Sequence, residues 1–134
     1  MSLGYCGKAI LEMADENELW FLYYSYNLNL ENYKEHIGKY DGEIIIKRSA
    51  FVEPDIYMKR IRRPSGRIKF EKRIRKKEVN IQKLIENGDV KIVNSSGTWN
   101  FIEGNDVMAI CLARQIFVKY QEERDIPEMV NIYQ

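Results

Sequence analysis

The apolar residues of this chain change their spacing several times, and each change marks an element. Lys8 to Ala14 and Leu19 to Tyr26 read as two strands joined by the polar turn Asp15-Glu16-Asn17-Glu18, although the first also fits a short helix. In the second, Trp20, Leu22, Tyr24 and Tyr26 fall on one side and Leu19, Phe21 and Tyr23 on the other. Aromatics on both sides predict a central strand, with Trp20, Tyr24 and Tyr26 buried beside Leu19, Leu22 and Leu28. Left open to solvent, the same three rings would form a stacking platform for unpaired bases. Glu31 to Ile37 is polar and ends at Gly38, which predicts a helix of about two turns.

Glu43 to Glu53 is rich in β-branched residues and breaks at Glu53-Pro54-Asp55. A run from Ile56 to Arg63, the turn residues Pro64-Ser65-Gly66 and a return strand from Arg67 to Arg75 then predict a hairpin. A four-residue loop would set Ile61 opposite Phe70 and Tyr57 opposite Ile74. A rival pattern exists, since Phe70, Ile74, Ile81 and Leu84 also trace a helical stripe and would make Lys69 to Glu86 one basic helix. The hairpin is favoured because Asn80 suits the N-cap of a separate short helix, Ile81 to Asn87, closed by Gly88.

Val90 to Val93 and Thr98 to Ile102 predict another hairpin around Asn94 to Gly97. Gly104-Asn105-Asp106 then caps the longest helix, Val107 to about Glu123, which is apolar over more than half its circumference in its first three turns. Such a helix packs against the sheet, or partly against another copy of the chain. Ile126-Pro127 stops it and a short tail follows. The expected fold is α+β: one domain over residues 1–134, with six or seven antiparallel strands, a long C-terminal helix and two short helices. Met1-Ser2-Leu3 reads as a cloning remnant and is left out of the argument.

Composition narrows the class without naming a function. With 134 residues, 45% hydrophobic and 31% charged, the chain can bury an ordinary core without disulfide or metal support. Its longest apolar run, Val107 to Ala113, is far short of the roughly 20 residues a membrane helix needs, so no membrane partner is expected. Cys6 and Cys111 stand far apart and lack a CxxC partner. Together with a start that lacks an export signal, they lead us to expect reduced thiols and a cytoplasmic location. Asn94-Ser95-Ser96 matches a glycosylation acceptor and is read as turn chemistry.

Charge is where the chain departs from the ordinary. Its net +1 hides a −5 from Met1 to Met58, a −4 from Glu78 to Gln134, and a central block that balances both. From Lys59 to Lys77, eleven cations meet the single acid Glu71, a local charge of +10. At a Debye length of ~10 Å such a block repels itself unless anions sit nearby. The candidate anion-binding residues are Lys59, Arg60, Arg62, Arg63, Arg67, Lys69, Arg73, Arg75 and Lys76. The expected partner is an anionic polymer such as DNA or RNA, whose phosphates and guanine edges suit the forked donors of arginine. The alternatives are pairing of the block with the chain's own carboxylates, from the two acidic flanks, and an assembly role in which it meets acidic surface on another protein or on a second copy. Because cations fall on both strand parities, one face cannot hold them all, and part of the ribbon is expected to project as an arm.

Catalytic signals are weak. His36 is the only histidine, which leaves no base for a nucleophile and too few ligands for zinc, and neither a Walker A nor a GxGxxG loop is present. No RNP-type aromatic pattern occurs. Pro54-Asp55 with Asp89-Val90-Lys91 has the outline of a PD-(D/E)xK metal-dependent nuclease, in which paired carboxylates hold a divalent ion. With 20 acids and 12 lysines, about two acid-x-Lys triplets arise by chance, and this chain has one. No catalytic residue, metal or cofactor is therefore expected. Glu122, Glu123, Asp125 and Glu128 crowd the C-terminal end of the long helix, against its dipole, and call for a cationic neighbour such as the basic ribbon.

Overall fold

The computed structural model describes residues 3–134; Met1 and Ser2 lie outside it. Nine strands and two helices follow in the order β1 (Tyr5–Ala14), β2 (Glu18–Asn27), β3 (Gly42–Lys47), β4 (Asp55–Arg62), β5 (Ile68–Arg75), α1 (Ile81–Glu86), β6 (Val90–Val93), β7 (Phe101–Ile102), β8 (Asn105–Asp106), α2 (Val107–Glu123) and β9 (Met129–Tyr133). Five of the strands form an antiparallel sheet ordered β6-β3-β2-β1-β9. Ala9 on β1, Phe21 and Tyr23 on β2, Ile44 and Ile46 on β3, Val90 on β6 and Val130 on β9 share the buried cluster with Met108, Leu112, Ala113, Ile116 and Phe117 of α2. This is the α+β domain the periodicity predicts, a sheet with one long helix across one face.

Several local expectations are corrected. The aromatic strand β2 is central, but only Leu19, Phe21, Tyr23 and Ser25 face the helix and are fully buried. Trp20, Leu22, Tyr24 and Tyr26 are half-buried on the other face, and Leu28 is exposed. No second layer covers that face among the described residues, so its tyrosines cover one another instead. Tyr24 stacks on Tyr26 at 6.0 Å, Tyr40 meets Tyr24 edge-on at 4.9 Å, and Tyr33 stacks on Tyr26 at 6.3 Å.

The predicted helix over Glu31–Ile37 is only a 3-10 turn, Tyr33–Glu35, without a side-chain cap. β3 stops at Lys47, and a second 3-10 turn, Arg48–Ala50, replaces the rest of the predicted strand. β6 pairs with β3 rather than with Thr98–Ile102; instead Ile102 pairs with Asn105 across Glu103-Gly104. Both residues of that turn have positive φ, 51° and 83°, as a two-residue hairpin requires. The short tail, for which the sequence pattern predicts no element, forms β9, the outer partner of β1.

Helix α2 starts where the sequence places it, and its N-cap does more than cap. Asp106 is 1% exposed and has no cation partner among the described residues. Its Oδ1 accepts from the Met108 amide at 2.9 Å. Its Oδ2 accepts from Tyr23 Oη at 2.8 Å, Thr98 Oγ1 at 2.9 Å and Ser25 Oγ at 3.0 Å. Tyr23 Oη in turn accepts from the Ser95 amide at 2.9 Å. A buried carboxylate is tolerable because donors and the positive end of α2 replace the water it gave up. Gly97 lets the loop lie against β2: a Cβ there would sit 1.8 Å from the Ser25 carbonyl oxygen.

Two outcomes follow. Asp106→Asn turns one acceptor toward hydroxyls as a donor and is expected to cost on the order of 3 kcal/mol in chemical denaturation; an effect within experimental error would refute the network's role. Burial first, and then the Asp106 charge, hold the Tyr23 phenol well above its ordinary 10.0. Below that pH both states keep the proton and the contribution is complete; above it the unfolded state ionises first, so stability falls as pH rises by up to ~1.4 kcal/mol per unit. Denaturation midpoints measured from pH 9 upward should decline more gently in Tyr23→Phe, and equal slopes would contradict this assignment.

Candidate functional site

The basic block folds as the β4–β5 ribbon, not as a helix, and it forms a sheet of its own apart from the five-stranded one. Its strands face solvent on both sides, with only Ile61 and Glu71 half-buried. The arm expected from the charge pattern is therefore present.

The register differs from expectation by one residue. Arg60 lies opposite Phe70 and Ile56 opposite Ile74. The cause is the loop: the Arg63 amide donates to the Arg67 carbonyl at 2.9 Å and the Gly66 amide to the Arg63 carbonyl at 2.9 Å. Pro64, Ser65 and Gly66 thus make a three-residue loop whose last residue has φ +85°, a conformation glycine adopts freely. A one-residue slip exchanges the faces of an entire strand. The even-numbered face carries Ile56, Met58, Ile68, Phe70 and Ile74 with Arg60, Arg62 and Lys72 among them. The odd-numbered face carries Tyr57 and Ile61 with Lys59, Lys69, Arg73 and Arg75. The apolar stripe is exposed, with Met58 at 59% and Phe70 at 60%.

The candidate residues divide by what neutralises them. Lys69 and Arg73 flank Glu71 at 3.9 and 2.8 Å, and Lys76, just beyond β5, pairs with Glu122 of α2. Lys77 reaches Asp55 at 3.6 Å. All these groups are well solvated, so each pair contributes only ~0–1 kcal/mol. Arg75 lies 5.4 Å from the centre of the Tyr57 ring. Lys59, Arg60, Arg62, Arg63, Arg67 and Lys72 have no carboxylate within ion-pair distance among the described residues, and neither has Arg75. Arg63 and Arg67 stand at the tip, and the other five lie along the two faces.

The base of the ribbon is fastened to the C-terminal half of α2. Gln121 is fully buried, and its amide treats the Lys77 backbone as a neighbouring strand would: Oε1 accepts from the Lys77 amide at 2.7 Å and Nε2 donates to its carbonyl at 2.9 Å. On the incoming side Glu53 takes Tyr120 Oη and Arg124 Nε, each at 2.7 Å. That bond to Glu53 is the main reason the Tyr120 phenol is held above its ordinary range. The acidic helix end thus receives Lys76 through Glu122, as its charge demanded. Sequence pattern did not disclose Gln121 or Glu53; a glutamine on the apolar stripe of α2 was the one available signal. Beside this base a cavity of about 360 Å³ is walled by Lys76, Lys77, Arg114, Phe117 and Val118.

No family model, curated protein or solved structure matches the chain.

The remaining candidates are scattered. Asp55 sits at the ribbon base against Lys77, whereas Asp89 precedes β6 at the sheet edge, where its carbonyl accepts from the Lys47 amide at 2.9 Å. Among the described residues no three His, Cys, Asp or Glu side chains gather as a metal site would require. His36 lies on the surface, with Nδ1 3.1 Å from Ser96 Oγ. Cys6 is buried and Cys111 half-buried; both are free thiols, and burial raises the Cys111 pKa. No helix of the described residues is long and apolar enough to cross a membrane.

Gln121→Met keeps the volume and removes both bonds to Lys77, which should cost about 1–3 kcal/mol. Brief trypsin treatment of the wild type should cut first in the Arg62–Arg67 tip, and in the variant also at Lys76 or Lys77. A first cut in the five-stranded sheet would contradict the picture of an exposed, fastened arm.

Proposed function

We propose that this chain is a non-enzymatic binding module whose β4–β5 ribbon grips nucleic acid. One observation carries the reading: a projecting ribbon bears seven cations without a carboxylate partner among the described residues, spread over both faces and the tip. Phosphates would supply the anions that the fold withholds, and a two-stranded ribbon has the cross-section to enter a major groove or follow a backbone. Arg60, Arg62, Arg63 and Arg67 supply forked donors, with Lys59 and Lys72 as point charges. Lys69, Arg73 and Lys76 contribute to the field while held by acids.

A second reading is favoured by a specific feature. Phosphate recognition makes no use of an exposed stripe of Ile56, Met58, Ile68, Phe70 and Ile74. Such a stripe set among arginines suits the acidic, partly apolar surface of another protein or subunit.

The test is fluorescence anisotropy of labelled duplex and single-stranded DNA and RNA, titrated with salt. Wild type should bind with log affinity falling by about 0.9 per phosphate neutralised. Replacing Arg60, Arg62, Arg67 and Lys72 together by Ser should make that slope shallower by about 0.9 for each phosphate these side chains neutralise. Absence of binding even at low salt would end the nucleic-acid reading and leave the protein-partner one.

A further inference from the structure

Apart from the ribbon, the molecule has one surface whose geometry specifies its own complement: the free edge of β9. The Tyr5 amide donates to the Gln134 carbonyl at 2.9 Å, the Gln134 amide to the Tyr5 carbonyl at 2.8 Å, and the Leu11 amide to the Glu128 carbonyl at 2.8 Å. In an antiparallel ladder these bonds fix the alternation. Val130 and Ile132 turn their backbone groups inward to β1, while Met129, Asn131 and Tyr133 turn theirs outward. No further strand pairs with that edge among the described residues.

Three features set β9 apart from β6, the sheet's other edge. It carries no lysine, proline or bulge, the devices that ordinarily blunt an edge, whereas β6 is shorter and bears Lys91. Its outward-facing residues include two exposed apolar side chains, Met129 at 43% and Tyr133 at 70%. At its centre Asn131 Oδ1 is buried without a hydrogen-bond partner, a condition that weakens the fold until a donor arrives.

We infer that β9 pairs antiparallel with β9 of a second copy of this chain, about a two-fold axis through Asn131, so that the two sheets become one. The register follows from the sequence Met129-Val130-Asn131-Ile132-Tyr133, which is chemically self-complementary when reversed. Met129 faces Tyr133 of the second copy, Asn131 faces Asn131, and the outward backbone groups of all three close mutual N–H···O=C pairs. On the outer face the two Asn131 side chains lie side by side across the axis, and a rotation of each amide out of its enclosed position would let Nδ2 of one donate to Oδ1 of the other. On the helix face Val130 meets Ile132 of the second copy. Between α2 and β9 lies a groove of about 380 Å³, lined by Cys111, Arg114 and Gln115 on the helix and by Asn131, Ile132 and Tyr133 on the strand. A five-residue strand pair is small beside the ~1,600 Å² of a standard interface, so micromolar self-association is the expected strength.

The experiment is sedimentation equilibrium of the full chain through the micromolar range. It is repeated for Asn131→Lys, which sets two cations across the axis beside Lys8, the β1 neighbour of Asn131. It is repeated again for Phe70→Ser in the ribbon. Wild type and Phe70→Ser should dimerise alike, and Asn131→Lys should weaken the dimer at least tenfold while keeping its circular dichroism. Should Asn131→Lys not fold, Asn131→Cys in a Cys111→Ser background decides the matter. The two Cα atoms of a hydrogen-bonded antiparallel pair stand ~5.5 Å apart, within disulfide reach, so oxidation should cross-link Asn131→Cys and leave Lys91→Cys monomeric. A wild type that stays monomeric, a dimer indifferent to Asn131→Lys, or one lost in Phe70→Ser overturns the proposal. Nucleic-acid affinity is a separate readout, and its absence leaves this inference standing.

Discussion

A carboxylate with no counter-ion among the described residues decides how this fold is arranged. Asp106 is buried between α2 and the sheet, and among the described residues its carboxylate meets only the amide end of α2 and the hydroxyl protons of Tyr23, Ser25 and Thr98. An isolated charge in that position would be prohibitively costly, so every donor has to be in place at once. That requirement fixes the start of α2, the height at which β2 crosses beneath it, and the path of the loop after β6, whose Asn94 Oδ1 accepts from the Asp106 amide at 2.8 Å. The hydrophobic cluster of Phe21, Leu112, Ile116 and Phe117 provides most of the stabilisation. The carboxylate decides which arrangement of that cluster is admitted.

The ribbon is the counterpart to this economy of charge. The core surrounds the Asp106 carboxylate with donors, whereas the arm displays seven cations without a carboxylate partner among the described residues and is fastened at its base. The fastening is mixed: a side-chain amide imitating a strand at Lys77, a carboxylate shared between a phenol and a guanidinium at Glu53, and a solvated pair at Lys76. Among the described residues the core cluster includes none from β4 or β5. Its composition is thereby released from packing, which is the circumstance under which a segment can be given over to a partner.

What the sequence disclosed depended on how local each signal was. The N-caps Asn80 and Asp106 bind amides two or three residues on, and both helices begin where those residues place them. The basic run is a property of composition and survived as an exposed arm. Long-range choices were less visible. Period-2 alternation on β2 cannot say which face the long helix α2 will cover, and it covered Phe21 and Tyr23 rather than Trp20 and Tyr24. β6 chose β3 over its sequence neighbour because the aliphatic Ile44 and Ile46 offered a ladder, while Phe101 and Ile102 were drawn into the small hairpin that delivers Asp106. β9 was missed because five residues after a proline carry too little pattern to reveal a partner that lies more than a hundred positions away.

The tip of the ribbon has a consequence of another kind. Since Gly66 closes a loop of three residues, Ile56, Met58, Ile68, Phe70 and Ile74 gather on one side and Tyr57 and Ile61 on the other. A loop one residue longer, of the same composition, would bring Tyr57 and Ile61 round to Phe70 and Ile74 and move Ile56 and Met58 to the reverse. Nothing in the core would register the change. Which residues the tip draws into its loop, rather than the composition of the two strands, therefore decides the chemical pattern that a partner meets.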